Sequence, residues 1–169
     1  QAFVDAALAE FGHIDILINN AGYARFEPLK DTSIEAWQRH LDVNLTGPFL
    51  CVKAVLPSMI ERREGRIINI SSVAGLKPYL GQGAYCASKH GLVGLSTVLA
   101  GELREYNIGV HAVCPGAVPT KLSHEAMPER DKSEWMAPED IAHACLYLAT
   151  LSPRAATDVL TLRRFAGSL

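Results

Sequence analysis

The sequence predicts an α/β fold in which a doubly wound parallel sheet carries helices on both faces. Short apolar runs that suit strands buried on both sides alternate with longer segments of helical periodicity along the 169 residues. Motifs rich in Asn, Ser and Gly follow these runs directly, at the strand ends where open α/β sheets bind ligands. Because the composition does not change along the chain, we expect a single domain over residues 1–169.

The first half of the chain shows this alternation. Residues 1–11 have apolar side chains on one side and predict an amphipathic helix. The apolar run 15–19 predicts a short strand, and the polar segment 23–33 predicts a connection. Helical periodicity then extends over 37–62, where a short helix leads into a long one from about Asn44.

The second half repeats the pattern. An isoleucine-rich strand is predicted over 66–71, and a helix over 82–106 follows a loop that contains glycines. The next strand, 109–114, is stopped by a Pro-Gly pair. A helix over 137–151 has Pro and acidic residues in its first turn, and 158–165 can supply a last strand.

Residues 117–136 predict a loop, since they include Pro119, Pro128 and many charged side chains. A loop of this length could form a lid over a substrate. A solvated connection would give the same pattern, so both interpretations stay open.

The charge pattern argues against several classes of partner. The net charge is −2 and no run of five like charges occurs, so attraction to nucleic acid or anionic lipid is not indicated. No apolar stretch approaches the roughly 18–20 residues that cross a bilayer, and the N-terminus lacks the basic start of a signal peptide. We therefore expect a soluble, cytoplasmic protein that acts on a small neutral or polar molecule.

Cysteines and histidines do not predict a metal site or a disulfide framework. The six histidines are scattered without metal-ligand spacing. Four cysteines lie singly in apolar stretches and predict buried thiols in a reducing compartment: Cys51, Cys86, Cys114 and Cys145.

Tyr85 and Lys89 stand four residues apart at the start of a predicted helix. At helical pitch this spacing places the phenol and the ammonium on one face, where the ammonium would lower the tyrosine pKa from its ordinary value of about 10. Such a tyrosine can act as a general acid or base, and Ser72, after the preceding strand, could hold a carbonyl oxygen as charge develops on it. Taken alone, the pair also fits a buried tyrosine beside a lysine on an ordinary helix.

Five features occur in a fixed order, each at a strand end or on the adjoining helix. They are Asn-Asn-Ala-Gly at 19–22, Asn44, Ser72, Tyr-x-x-x-Lys at 85–89, and Pro-Gly-Ala-Val-Pro-Thr at 115–120. In this order the chain resembles the short-chain dehydrogenase/reductase family. The resemblance implies a Rossmann-like sheet and a nicotinamide cofactor, NAD or NADP, with NADP slightly favoured.

The resemblance also implies catalytic roles. Tyr85 would exchange a proton with the substrate oxygen, and Ser72 would hydrogen-bond that oxygen. Lys89 would lower the tyrosine pKa and contact the nicotinamide ribose. Asn44 would support a chain of water molecules that refills the proton.

Further positions would bind the cofactor together with Tyr85 and Lys89. Gly22 would let the backbone approach the cofactor closely. Asn19 is more consistent with bracing the sheet than with binding a ligand. The cofactor positions implied by the resemblance are Asn20, Ala21, Gly22, Pro115, Gly116, Val118 and Thr120.

The sequence departs from the family in its first part. Family members begin with a strand, a glycine-rich turn and further units before the Asn-Asn-Ala-Gly strand, and about 60–70 such residues have no counterpart here. Because those units carry the choice between NAD and NADP, the preference cannot be read. We expect residues 1–169 by themselves to expose one sheet edge and part of both faces, and therefore to be poorly soluble or unstable.

Three functions remain open at this stage. The leading hypothesis is an NAD(P)-dependent oxidoreductase that interconverts an alcohol and a ketone or aldehyde. The second is a non-catalytic binding or scaffold protein on the same fold, and the third is a related reaction such as epimerisation or dehalogenation. Since family members commonly pair through two of these helices, we also expect a homodimer or homotetramer formed by 44–62 and 85–106.

Overall fold

The computed structural model describes residues 2–152 and 154–165, so Gln1 of the predicted first helix lies outside the described residues. Short 3₁₀ turns cover Leu29–Asp31, Val73–Gly75 and Arg104–Tyr106, and a π turn covers Asp42–Thr46. The helices and strands are α1 Ala2–Phe11, β1 Ile16–Asn19, α2 Ile34–Leu41, α3 Gly47–Arg62, β2 Gly65–Ile70, α4 Gly83–Glu102, β3 Ile108–Pro115, α5 Lys121–Ala126, α6 Pro138–Ala149 and β4 Val159–Leu162.

The four strands form one parallel sheet in the order β1-β2-β3-β4. The two central strands carry the most buried residues, including Ile67, Ile68, Val110 and Val113. β1 is an edge strand, and its Ile16 is 44% exposed. This arrangement confirms the predicted parallel α/β sheet.

Helices cover both faces of the sheet. On one face Val55 of α3 and Leu99 of α4 pack against Ile67, and on the other Leu148 of α6 packs against Ile68 and Val113. Ile67 and Ile68 point to opposite sides because side chains alternate along a strand. Since α6 lies on the opposite face from α3 and α4 while the strand order continues in one direction, the β3–β4 connection has the opposite hand to the two before it.

Several predicted boundaries change. The helix expected over 82–106 ends at Glu102, and a 3₁₀ turn follows that closes at Asn107 in the left-handed conformation. The expected final strand 158–165 forms a ladder only over Val159–Leu162. The segment 117–136 is not wholly a loop, because it contains α5.

One helical run differs from the sequence expectation about membranes. α2, the π turn and α3 join into a continuous run, Ile34–Arg62, that by length and composition alone is apolar enough to cross a bilayer. A single such run is weak evidence, since core helices pass the same test. This run buries His40 and Asn44 in hydrogen bonds to the rest of the chain.

Candidate active site

The predicted catalytic residues come together at the carboxyl ends of the strands. Ser72, Tyr85 and Lys89 line one cleft with a volume of about 1450 Å³. Of the predicted cofactor positions, Ala21 is not part of the cleft lining, and Asn44 is buried beneath it. The positions that do line it are Asn20, Gly22, Pro115, Gly116, Val118 and Thr120.

Lys89 is buried at the base of the cleft, with 4% of its surface exposed. Its ammonium donates a hydrogen bond of 2.8 Å to the carbonyl of Ile70 and lies 5.8 Å from the centre of the Tyr85 ring. Burial lowers the pKa of Lys89 from 10.5 to about 8, and the nearby Cys114 thiol acts in the opposite direction. The side chain is therefore mostly charged at neutral pH.

Tyr85 lies on the same helix with its ring packed edge to face against Phe26, the centroids 5.4 Å apart. Burial raises the pKa of Tyr85 above 10, and a hydrogen bond with Ser72 opposes that rise. The spacing of Tyr85 and Lys89 predicted that the ammonium would lower this pKa. That expectation does not hold for the site as it stands, because the loss of solvation outweighs the favourable interactions.

Ser72 lies two residues after the end of β2, directly before the 3₁₀ turn Val73–Gly75. Its hydroxyl accepts a hydrogen bond of 3.1 Å from the Ala74 amide and so caps the 3₁₀ turn. The preceding residue, Ser71, donates from its hydroxyl to the carbonyl of Lys89 at 3.0 Å. These bonds fix the loop after β2 against the first turns of α4.

Gly75 is needed for this close contact. A Cβ at this position would lie 2.7 Å from both the Lys89 carbonyl oxygen and the Ser71 hydroxyl oxygen, closer than real side chains approach. Sequence reasoning missed Ser71 and Gly75 as supporting residues. Their only signal was the run of small residues after the strand.

Asn44 holds the segment after β1 in place. Its Oδ1 accepts from the Tyr23 amide at 2.8 Å, and its Nδ2 donates to the Tyr23 carbonyl at 2.8 Å and to the Ser88 hydroxyl at 3.0 Å. It lies in the π turn, a local widening of the helix that is frequent at functional sites. The structure thus gives Asn44 a clear structural role, and its part in a water chain stays a prediction.

Gly22 lies over these residues at the floor of the cleft. A Cβ there would lie 3.8 Å from Asn44 Oδ1 and 3.9 Å from Lys89 Nζ. The missing side chain therefore keeps the approach to the ammonium open.

A second amide network braces the sheet, as predicted for Asn19. Asn19 Nδ2 donates to Asn69 Oδ1 at 2.8 Å, and Asn69 Nδ2 donates to the Ser96 hydroxyl at 2.9 Å. The three side chains link β1, β2 and α4 behind the site. Asn69 and Ser96 were not singled out from the sequence.

The segment after β3 forms another wall. The Gly116 amide donates to the Leu162 carbonyl at 2.8 Å, which ties this segment to β4. Thr120 caps α5 through reciprocal hydrogen bonds with Ser123. Its hydroxyl thus has a structural partner beside the role that the sequence predicted.

Comparison with known proteins gives a consistent picture. A family model described as short chain dehydrogenase matches residues 1–131. A 3-oxoacyl-acyl-carrier-protein reductase of Synechocystis sp. is 39% identical over 158 residues, which cover 90% of this chain and 64% of that protein. The chain therefore spans just under two thirds of the length of this relative.

Two further relatives bear on activity and fold. A protein of Xanthobacter autotrophicus described as inactive 2-(S)-hydroxypropyl-CoM dehydrogenase 2 is 39% identical, over 92% of this chain and 75% of its own length. A gluconate 5-dehydrogenase from Burkholderia cenocepacia, solved with NADP and tartrate, has a TM-score of 0.87 and 28% identity, over 96% of this chain and 68% of its own. The four parallel strands thus have a close counterpart in a structure that contains NADP.

Proposed function

We propose, from the premise that the chain belongs to the short-chain dehydrogenase family, that it interconverts an alcohol and a ketone or aldehyde by hydride transfer with NAD or NADP. The observation that carries the proposal is the convergence of Ser72, Tyr85 and Lys89 on one cleft. Hydroxyl, phenol and ammonium groups together can bind a carbonyl oxygen and transfer a proton to it.

The charge of the cleft suits a dinucleotide. Gly22 has no side chain over Lys89 Nζ, and among the described residues six basic side chains line the cleft against two acidic ones, Glu125 and Asp131. An excess of positive charge favours a ligand that carries phosphates. The basic residues are Lys77, Lys89, Lys121, Arg130, Arg163 and Arg164.

When bound, the nicotinamide supplies or accepts the hydride. We infer that the segments 20–22 and 115–120 hold it, with Lys89 at the ribose. NADP is slightly favoured, and the Burkholderia relative was solved with NADP.

The residues of the chain would bind and orient the substrate and move its proton. The substrate oxygen would lie between the hydroxyls of Ser72 and Tyr85, which already interact with each other. Ser72 would donate to the oxygen as negative charge develops, while Tyr85 gives or takes the proton. The buried ammonium of Lys89 would offset part of the desolvation of the phenolate, and Asn44 would support the water chain that restores the proton.

A non-catalytic scaffold is the second candidate, because one relative is described as inactive. The complete set Ser72, Tyr85 and Lys89 supports the enzyme over the scaffold. A related reaction such as epimerisation would use the same groups, and the segment 117–136 would decide between them. Pairing through α3 and α4 is supported by their exposed Leu50 and Val98.

Tyr85→Phe tests this function in the full natural protein. Purified protein is assayed against a panel of alcohols and ketones with NAD(H) and NADP(H), following the absorbance of the reduced nicotinamide. We expect turnover to fall on the order of a thousandfold, because the phenolic proton is lost while the ring remains. Full activity of the variant would overturn the mechanism, whereas cofactor binding without turnover in the unmutated protein would favour the scaffold.

A further inference from the structure

Residues 23–26, here called the strap, form the wall of the cleft beside the catalytic tyrosine. Tyr23, Ala24 and Phe26 line the cleft, and Phe26 packs its ring against Tyr85 at 5.4 Å with the planes at 68°. The strap has no regular secondary structure. Its position therefore depends on side chains that hold its backbone.

Two buried side chains hold the strap, one at each end. Asn44 binds the amide and the carbonyl of Tyr23, as described above. His40 accepts a hydrogen bond of 3.1 Å from the Arg25 amide through Nε2, and its exposed surface is 1%. His40 lies at the end of α2, just before the π turn that carries Asn44.

The hydrogen bonds of His40 define its tautomer and its orientation. Because Nε2 accepts from an amide N–H, the ring proton is on Nδ1, which donates to the Ala36 carbonyl at 2.8 Å. In this orientation the imidazole meets the Tyr23 ring edge to face at 4.7 Å and the Tyr85 ring at 6.4 Å. One histidine thus contacts both the strap and the surroundings of the catalytic phenol.

We propose that His40 is a positioning residue for Tyr85, which acts by holding the strap closed over the phenol. The inference rests on the proposed function, since it assigns the strap a role in the chemistry of Tyr85. It goes beyond that function because the sequence pattern gave His40 no part in the site. A leucine could fill the same space, but it could not accept the hydrogen bond from Arg25.

The consequence for Tyr85 follows from its burial. The pKa of Tyr85 is raised by desolvation, and Phe26 supplies part of the covering. If the strap opens, water reaches the phenol and the pKa falls toward its ordinary value. In the described part of the chain, the other ionisable groups near the rings of His40 and Tyr85 are Tyr23, Arg39, Cys86 and Lys89.

The test compares His40→Leu with His40→Gln in the full natural protein. The rate of alcohol oxidation is measured against pH with a substrate that the unmutated protein turns over. We expect His40→Leu to lower kcat/KM on the order of tenfold and to move the acid limb of the profile to lower pH. His40→Gln should restore both, because its amide oxygen can accept from the Arg25 amide.

His90→Leu is the matched control. His90 makes the same bond to a carbonyl four residues earlier, that of Cys86, but it is exposed, and in the described part of the chain it has no hydrogen bond to the strap. Phe26→Ala is a second variant that uncovers Tyr85 without changing the buried helix, and it should move the acid limb in the same direction even if His40→Leu does not fold.

Two outcomes would overturn the inference. One is an acid limb that stays in place in folded His40→Leu, or in Phe26→Ala where His40→Leu does not fold, and the other is a shift of equal size in His90→Leu. Activity retained in Tyr85→Phe would contradict the proposed function itself. If Tyr85→Phe loses activity but the acid limb of the pH profile does not move in the His40 and Phe26 variants, only the role of His40 is contradicted.

Discussion

Lys89 on α4 and His111 on β3 are two buried bases in different surroundings. Lys89 is 4% exposed and donates to the Ile70 carbonyl at 2.8 Å, while His111 is 3% exposed and its Nδ1 bonds the Thr157 carbonyl at 2.7 Å. Burial lowers the pKa of both groups. The physical penalty has the same origin in each case.

What separates them is the space that each one faces. Lys89 lies at the base of the cleft beside Tyr85. His111 does not line the cleft, and its Nε2 is buried with no hydrogen-bond partner in the described part of the chain. A perturbed pKa therefore indicates burial, and only the neighbouring open space indicates a functional role.

Lys89→Met should have the largest effect on activity and stability. Below pH 8 the fold holds a charged, desolvated ammonium, and a shift of the pKa from 10.5 to about 8 corresponds to about 3 kcal/mol. We expect the activity of the variant to fall at least a hundredfold. Its free energy of unfolding at pH 7 should rise by up to about 3 kcal/mol. Urea unfolding and turnover measure the two effects.

The pH dependence sharpens this test. The unfolded chain binds more protons than the fold between pH 8 and 10.5, so the stability of the unmutated protein should rise across that range. Lys89→Met should lack this rise. Lys53→Met, on the exposed side of α3, is the control and should keep it. If Lys89→Met is less stable than the unmutated protein at pH 7, the burial of a charged Lys89 is not what costs the fold stability.

Gly75→Ala should have the next largest effect. Its Cβ would overlap the Lys89 carbonyl, so the loop after β2 must move away from α4. We expect a loss of roughly 2 kcal/mol in the free energy of unfolding and a clear loss of turnover. Gly94→Ala is matched, since nothing lies within 4 Å of its Cβ, and it should stabilise the helix by up to about 1 kcal/mol. Equal changes in the free energy of unfolding for Gly75→Ala and Gly94→Ala would contradict the close contact between Gly75 and the Lys89 carbonyl.

The smallest expected effect concerns His111. Its pKa in the fold is lowered from 6.5 by burial, so the fold prefers the neutral ring. As pH falls below 6.5 the unfolded chain takes up a proton first, and stability should decrease until the lowered pKa is reached. His111→Gln should flatten this dependence in urea unfolding from pH 8 to pH 5. An unchanged slope in His111→Gln would assign the effect to other groups.

The sequence predicted those parts of the site in which the spacing of two residues along the chain determines their distance in space. Tyr85 and Lys89 lie on one helix, so their separation along the chain fixes their proximity. Spacing does not show how much water reaches a side chain. The predicted lowering of the Tyr85 pKa was wrong for this reason, since burial raises it. The parallel sheet followed from the alternation of strands and helices, but the reversed hand of the last connection could not be predicted, because it runs against the usual rule.

The supporting residues were harder to predict because their partners are distant in the chain. His40 binds an amide 15 residues away, and Ser71 binds a carbonyl 18 residues away. A polar residue in an apolar helix gives no sign of which backbone group it meets. α5 was missed because its start depends on a cap formed by Thr120 within a charged segment.

The π turn before α3 is a place where the length of this helix can change. The Gly47 amide bonds the Asp42 carbonyl five residues back, so the turn contains one residue more than an α-helix would. Because the widened turn already absorbs that residue, deleting one residue there would restore the regular pitch and leave α2 and α3 close to their present orientation. The same deletion inside α3 would rotate the residues on its two sides by about 100° relative to each other. What a deletion in the turn would remove is the widening that carries Asn44 and its bonds to Tyr23, so the extra residue serves the placement of one side chain and not the course of the helix.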